Sequence, residues 1–505
     1  MGFSFGFLLV IDLKSFHAVG HLSRVRCVGW ALACALGWPA QASGLVDEVR
    51  GMSLRLSTAL PKLPAQTGPS ALAWPQALLL AQQNSTTVRS AAAQADAQGG
   101  VARQAWSQAY MPRIDLNAQA QQDHLRTQYY TTRTPSSSAG LQATLPVWHG
   151  ADRAIGQAQA ALTQRADWQT RLTRMAVARD VSRAYLLAVE AAAQLNLLEE
   201  QRDLLTKQLH VNEQRLRGGV GTSLDRLETT TRMDQLRADL HERRSRHETQ
   251  RLILARLLVH EVPAVARLTS QALLANDAGP SVVEPVGEAL ARIPERSPAV
   301  QDAQAQVRAA QAELQARSAE AWQPTVDAVA SLTRARQNTK TTTSNDSLSY
   351  TESTLGLQLN VPLYSGGRQP GRHQESAALL IKAEADRDEA LARAQAGLLD
   401  AYQSLDQARR QVGVLREVEY TAQATLEALQ RAFAAGYRSN LDLLNAQQQL
   451  IATRSQSVTA RINVLLAQVD ILSLTERLDA ETIAPLSGLL VQPTDADTPT
   501  MKDVP

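Results

Sequence analysis

Two stretches decide how this chain is read: Arg217-Gly218-Gly219-Val220-Gly221-Thr222-Ser223-Leu224-Asp225 and Phe433-Ala434-Ala435-Gly436-Tyr437-Arg438-Ser439-Asn440-Leu441-Asp442. Overlaid at a shift of 217, Gly219, Leu224, Asp225 and Leu227 fall on Gly436, Leu441, Asp442 and Leu444. Each stretch ends one long run of helix formers and starts another, so each reads as a tight turn between two helices. The same correspondence continues upstream. At a shift of 212, nine positions between Asn84 and Leu116 match without gaps, among them Ser85/Ser297, Val88/Val300, Pro112/Pro324 and Asp115/Asp327. At a shift of 216, Gly140-Leu141-Gln142 meets Gly356-Leu357-Gln358 and Pro146 meets Pro362. Three blocks in one order at nearly one shift make the chain a duplicated supersecondary unit. The period is far too long for a solenoid.

Each unit reads helix, two strands, long helix, turn, shorter helix. Ala151–Arg217 contains no proline and one glycine, and at 1.5 Å per residue it spans about 100 Å. Arg372–Ala435 is its counterpart. The runs Pro75–Tyr110, Ser223–Val259, Pro285–Trp322 and Asn440–Leu474 are each about half as long, so two of them stacked end to end match one long helix. Val458, Ile462, Leu465, Val469 and Leu472 step by four and three, as do Val181, Tyr185, Ala188, Ala192 and Leu195, which is the spacing of coiled-coil seams.

Between the first two helices of each unit the period becomes two. Ile114, Leu116, Ala118 and Ala120 alternate with Asp115, Asn117, Gln119 and Gln121; Leu141, Ala143, Leu145 and Val147 form a second set. Val326, Ala328, Ala330 and Leu332, then Leu355, Leu357, Leu359, Val361 and Leu363, repeat the pattern. Such strands suit an outer-membrane barrel, although a half-buried soluble sheet shows the same alternation. The Thr-, Ser- and Asn-rich segments Tyr130–Ser138 and Arg336–Ser347 read as the loops between paired strands. Four strands cannot close, and open edges cannot face lipid. Eight strands leave an interior filled by side chains, so twelve, from a trimer, are the smallest closed set with an open lumen.

The N-terminus reads as an export signal over residues 1–42. Arg24 and Arg26 precede the apolar run Cys27–Trp38, and Ala40-Gln41-Ala42 is a small-x-small cleavage pattern. An N-terminal anchor is the alternative, and Cys34, preceded by Ala31-Leu32-Ala33, is a poor lipoprotein site. No later run suggests a spanning helix. The remaining boundaries are a linker at 43–70, a first repeat at 71–260, a linker at 261–284, a second repeat at 285–475, and a poorly ordered tail at 476–505.

Composition excludes several classes of function. The 505 residues carry 51 basic and 49 acidic side chains, a formal net charge of +2, which as a whole gives no electrostatic case for nucleic acid or an anionic membrane surface. Aromatics are 4%, too few for base-stacking platforms. Cys27 and Cys34 are the only cysteines, so no thiolate chemistry lies beyond the signal. There is no HExxH, GxSxG or Walker A pattern, and Gly218-Gly219-Val220-Gly221 lacks the lysine of a phosphate cradle. His241 and His247, six apart on a charged helix, read as solvated. No enzyme activity, cofactor or metal is expected.

With the duplicated unit, hairpins and tip motifs in hand, the chain resembles the TolC-like outer membrane factor family over roughly Ala71–Thr475. The resemblance implies a mainly α fold with transmembrane β: a homotrimer with a 12-stranded β-barrel, four strands per chain, on a long coiled-coil α-barrel. It implies an outer-membrane location with a large periplasmic portion, outer-membrane lipid around the barrel, and Tyr130–Ser138 and Arg336–Ser347 outside the cell. Implied partners are a periplasmic adaptor (a membrane fusion protein) and an inner-membrane transporter, either an ABC pump or a proton-driven one. The tip turns, at Gly218, Gly219, Gly221 and Gly436, would contact the adaptor. In the best-known member of the family, a tip arginine and tyrosine of the second unit link to an aspartate of the first to hold the duct shut, and two aspartate rings line the entrance. The matching positions are Arg438, Phe433, Asp225, Asp442 and Asn445. Phe433 departs from tyrosine and Asn445 from aspartate, so one gating hydroxyl and the second acidic ring are absent. The expected function is an exit duct, leaning to type I protein secretion because a good lipobox is lacking. Multidrug or metal efflux is the alternative, and a periplasmic coiled-coil adaptor a more distant one.

Overall fold

The computed structural model describes residues 72–129, 131–259, 267–268, 282–340, 345–361, 363, 366–487 and 490–491, all within the unit spanning 69–505. The export signal, Cys34 and the 43–70 linker lie outside the described residues, as does most of 261–284. In chain order the elements are α1 (Trp74–Asn84), α2 (Thr86–Tyr110), β1 (Arg113–Arg126), β2 (Thr131–His149), α3 (Gly150–Arg217), α4 (Ser223–Leu258) and β3 (Arg267–Leu268). The second repeat follows as α5 (Val286–Arg296), α6 (Pro298–Trp322), β4 (Thr325–Lys340), β5 (Asn345–Asn360), α7 (Arg368–Ala434) and α8 (Asn440–Leu474), and the chain ends with α9 (Ala480–Ser487) and β6 (Leu490–Val491).

The half-length helices stack along the long ones as their lengths require. On α3, Gln159, Thr163 and Thr170 meet Gln98, Gly99 and Ala91 of α2. Further down the same helix, Gln194 and Asn212 meet Arg243 and Thr229 of α4. The helices therefore lie side by side as α2, α3, α6, α7 near the sheet, and as α4, α3, α8, α7 near the tips. Between these levels the layer thickens into the main core. Trp74 of α1 stacks on Tyr185 of α3 and donates Nε1–H to Ser182 Oγ at 3.1 Å, while the Tyr185 hydroxyl donates to Leu72 O at 2.8 Å. Around this pair the seam residues Val181, Ile462, Leu465, Val469 and Leu472 are buried, each removal from water stabilising by roughly 1.5–3 kcal/mol. By length and composition α8 is apolar enough to cross a membrane, contrary to the sequence reading, but most of its apolar window is buried inside the bundle.

Three further expectations are corrected. The first helix of each repeat is broken, at Ser85 and at Ser297. Ser85 leaves the helical region, with ψ of 121°, and its Oγ accepts from Val88 N at 3.3 Å, restarting the helix. Pro298 keeps Ser297 out of the helical region. The tail is ordered through 476–487: Ile483 and Leu486 of α9 are fully buried in the main core, and β6 pairs with β3. At the head of this region, Glu284 accepts from Arg292, Arg296 and Arg477 at 2.9, 3.2 and 2.8 Å. Burial opposes its ionisation, but the Arg296 hydrogen bond and the three guanidinium charges outweigh that and hold its carboxyl below the usual range.

The third correction concerns the loops. Thr131–Ser138 belongs to β2, and β4 and β5 run to Lys340 and from Asn345, because a strand ladder accepts Thr and Ser readily wherever backbone partners exist. β1, β2, β4 and β5 are 14 to 19 residues long, longer than the roughly 9–11 that cross a bilayer. The sheet is antiparallel in the order β1-β2-β4-β5, with β2 joined to β4 across the repeat boundary and β1 and β5 left as edges.

Register sorts the side chains onto two faces. Leu116, Leu141 and Leu332 lie opposite one another, as do Ile114, Ala143, Ala330 and Leu355, and Leu145, Ala328 and Leu357. The other face carries Asp115, Gln142, Ser331 and Thr354, then Asn117, Gly140, Thr333 and Glu352. A bulge between Pro146 and Trp148 keeps this sorting at the end of β2. It returns Trp148 to the apolar face and His149 to the polar one, where its ring nitrogens face Asp152 Oδ2 at 2.8 Å and Asp327 Oδ1 at 2.9 Å.

Candidate functional site: the paired helical tips

Both long helices end in the same way. At the end of α3, Gly219 N donates to Leu216 O and Val220 N to Arg215 O; at the end of α7, Gly436 N donates to Phe433 O and Tyr437 N to Ala432 O. This double return satisfies the last helical carbonyls and needs a left-handed residue between them. Gly219 and Gly436 supply it, with φ of 74° and 79°. Gly221 is constrained by space instead, since a Cβ there would sit 2.9 Å from Leu216 N. The next helices start alike. Thr222 and Asp225 form a capping box at α4, Ser439 and Asp442 another at α8, each hydroxyl accepting from the aspartate N–H. Asp225 Oδ2 accepts in return from Thr222 N at 3.1 Å, and Asp442 Oδ2 from Ser439 N at 3.4 Å.

That geometry revises the expected latch. Asp225 and Arg438 are not brought together within the protomer. Asp225 is held by its own cap, and the Arg438 guanidinium, in the tip turn, lies 4.0 Å from Asp442 of the same hairpin, with both side chains exposed. The other matched positions do join the two repeats. Arg215 of α3 lies over the Phe433 ring at 4.6 Å, so the ring that replaces tyrosine still receives a cation from the first hairpin. Asn445 Oδ1 accepts from Arg232 Nη2 of α4 at 3.1 Å.

The strongest tie between the hairpins was not anticipated. Asn212, Thr229 and Asn440 are no more than 2% exposed. The Asn440 carboxamide donates to Asp225 O at 3.2 Å, Glu228 Oε2 at 3.2 Å and Thr229 Oγ1 at 3.3 Å. Its oxygen accepts from Asn212 Nδ2 at 2.9 Å and Gln208 Nε2 at 3.3 Å. The Asn212 amide also donates to Thr229 Oγ1 at 2.9 Å. One side chain of the second repeat thus binds both helices of the first repeat's hairpin. A signal was present: Leu198, Leu205 and Asn212 are spaced by seven, so Asn212 is the polar member of an otherwise apolar heptad position.

About three to four turns above the α7 tip, a groove of 460 Å³ between α7 and α8 is lined by Glu417, Val418, Thr421, Ala422, Thr425, Ala446 and Gln449. Among the described residues no cluster of His, Cys, Asp or Glu could hold a metal ion.

Comparison with known proteins agrees with this architecture. The sequence model described as "Outer membrane efflux protein" matches residues 77–259 and 289–475. The alkaline protease secretion protein AprF of Pseudomonas aeruginosa is 26% identical over 298 residues, which are 57% of this chain and 58% of AprF. The outer membrane protein TolC of Escherichia coli K12 is 20% identical over 367 residues, 71% of this chain and 73% of TolC. The chain thus spans somewhat under three fifths of the secretion relative. A crystallised membrane protein from Pseudomonas aeruginosa superposes with a TM-score of 0.68 at 18% identity, over 83% of this chain and 99% of that one, which establishes a shared fold.

Proposed function

The chain belongs to the outer membrane efflux protein family, and from that premise we propose that it works as a homotrimeric exit duct. In this reading the duct passes substrate from an inner-membrane transporter, through a periplasmic adaptor, to the cell exterior. The observation that carries the reading is the unclosed sheet. Four strands with an apolar face end in two unpaired edges, β1 and β5, and run directly into a helical layer whose own outer members are α2 and α4 on one side and α7 on the other. In lipid those edges must pair, and threefold repetition closes twelve strands around an open lumen. The unpaired helices meet the next protomer by the same rotation, α7 against α2 and α4.

Similarity to a protein named for alkaline protease secretion supports protein cargo delivered by an ABC transporter, the type I arrangement. The family's own description favours a second reading, efflux of small molecules. In either, the tips at Gly219 and Gly436 and the α7–α8 groove present a helical surface suited to an adaptor's helical hairpin. Asp442, at one level in each protomer, would gather three carboxylates about the axis, each partly offset by its own Arg438. Purified protein added to planar bilayers tests the duct: discrete conductance steps are expected, and trimers that never conduct would refute it. Arg438→Ser and Asp442→Ala then test the tip, through conductance and divalent-cation block.

A further inference from the structure

The sheet's charges are segregated by face with no exceptions among the described side chains. The polar face carries Asp115, Asp123, Asp327, Asp346 and Glu352, with Arg113 its single cation, paired to Asp115 at 2.8 Å. The apolar face continues beyond its leucines into residues of the opposite sign. Arg334 follows Leu332 on β4, Arg336 follows Arg334, and Arg133 of β2 and Arg126 of β1 lie further out on the same face. Side-chain contacts agree with the register: Arg133 Nε donates to His124 Nδ1 at 3.5 Å, and the His124 Nε2 edge meets Gln122 Nε2 at 3.0 Å, all three residues sharing that face. No aspartate or glutamate of the four strands lies there, and none of these four arginines forms an ion pair among the described residues. All four are exposed. Threefold closure does not change this, because β5, which would meet the next β1, contributes Ser347, Ser349 and Thr351 to the outer face at these levels.

The position of these cations along the strands matters as much as their sign. Leu355, Leu357, Leu359, Val361 and Leu363 alternate along β5 and just past it, about 26 Å of outward apolar surface at ~3.3 Å per residue, close to the roughly 25 Å band of lipid-spanning barrels. The arginines begin where that band ends, on the side away from the helices. A face that is apolar below and cationic above, with no counterions of its own, meets lipid tails first and headgroup anions next. Arginine is suited to this, since its stem lies along apolar surface while its planar fork takes two oxygens of a phosphate.

We propose that Arg126, Arg133, Arg334 and Arg336 form a phosphate-binding band on the outside of the barrel, which seats the phosphorylated headgroups of the glycolipid in the outer leaflet. This rests on the duct reading only in taking the apolar face to face lipid. The band gives the barrel a fixed depth and rotational hold in the outer leaflet, while the acidic inner face leaves cargo uncoupled from the lipid.

The test uses detergent-purified trimers and a bis-phosphorylated glycolipid of the lipid A type, with bound lipid counted by native mass spectrometry. Wild-type trimers should retain it at least tenfold more tightly than the same glycolipid stripped of its phosphates, with affinity falling steeply as salt rises, and millimolar inorganic phosphate should not displace it. The combined Arg126→Gln, Arg133→Gln, Arg334→Gln, Arg336→Gln variant should lose that preference, and Arg113→Gln, on the other face, should keep it. Equal retention of phosphorylated and stripped lipid by wild type overturns the proposal without recourse to any variant. So does displacement by inorganic phosphate, or full retention by the fourfold variant. Conductance in planar bilayers is recorded on the same samples: trimers that conduct but show no phosphate preference defeat the band alone, whereas trimers that do not conduct defeat the duct.

Discussion

Replacing Asn440 with alanine should loosen the tip more than any change to the exposed charges around it. The side chain is 1% exposed and makes five hydrogen-bond contacts with Gln208, Asn212, Asp225, Glu228 and Thr229. Truncation leaves Asn212 and Thr229 still bonded to each other, and Thr229 Oγ1 still donates to Asp225 O at 2.8 Å. What disappears is the part that crosses between repeats. A buried amide of this kind contributes about 1–3 kcal/mol, counting both the bonds lost and the partners left short of one. The Arg438–Asp442 contact, at 4.0 Å and exposed, contributes on the order of 0.5 kcal/mol or less. Local opening of the tip should therefore rise about 5- to 150-fold in the Asn440→Ala trimer. Amide hydrogen exchange over residues 208–229 and 439–447 reads this directly, with Arg438→Ala as the comparison. Conductance of Asn440→Ala trimers should rise in parallel. If exchange at the tip is unchanged in a variant that melts like wild type, the buried hub is not what joins the hairpins and the reasoning fails.

The other predictions are shorter. Gly219→Ala and Gly436→Ala should each destabilise by roughly 1 kcal/mol, because each position has positive φ; a melting temperature equal to wild type in both would contradict the turn geometry. Asp225→Ala should weaken the start of α4 by about 1 kcal/mol through loss of its capping box, without opening the channel; a conductance rise would restore the latch to Arg438. The depressed carboxyl of Glu284 contributes stability above the ordinary carboxylate pKa, and that contribution is lost as pH falls through its lowered value. Glu284→Gln should accordingly lower the melting temperature at pH 7, by a margin that shrinks as the pH falls through that lowered value, and a margin independent of pH would show that the arginines matter only through packing. Epitope tags inserted at Tyr130 or between Lys340 and Asn345 should label on intact cells, and labelling at Gly219 instead would invert the topology.

The parts of this fold that repeat are the parts a single sequence shows. The four-three step of Val458, Ile462, Leu465, Val469 and Leu472 reads directly as a buried seam, since nothing but packing could require it. Gly219 and Gly436, each six residues before an aspartate, read as paired tips because a left-handed turn and a capped helix leave marks at fixed spacing. Legibility ends where one residue type serves two purposes. Asp225 and Asp442 can cap or can gate, and within one protomer both are seen capping. The Thr- and Ser-rich stretch of β2 looks like loop because its polar side chains suggest an unpaired backbone, although its ladder partners on β1 extend as far as Arg126. Asn440 resembles an ordinary helix-start residue, and its burial depends on a hairpin more than 200 positions away. The outward arginines are invisible without register, for only pairing shows that Arg133 and Arg336 share a face with Leu116.

The central claim is that β1 and β5 of one chain are completed by other copies of itself. Light scattering coupled to size separation in mild detergent, before and after heating, tests it most directly. The account predicts a single species of three chains before heating and one chain after. A folded, monodisperse monomer in the unheated sample would contradict it, because four strands with two open edges could then exist in the membrane alone.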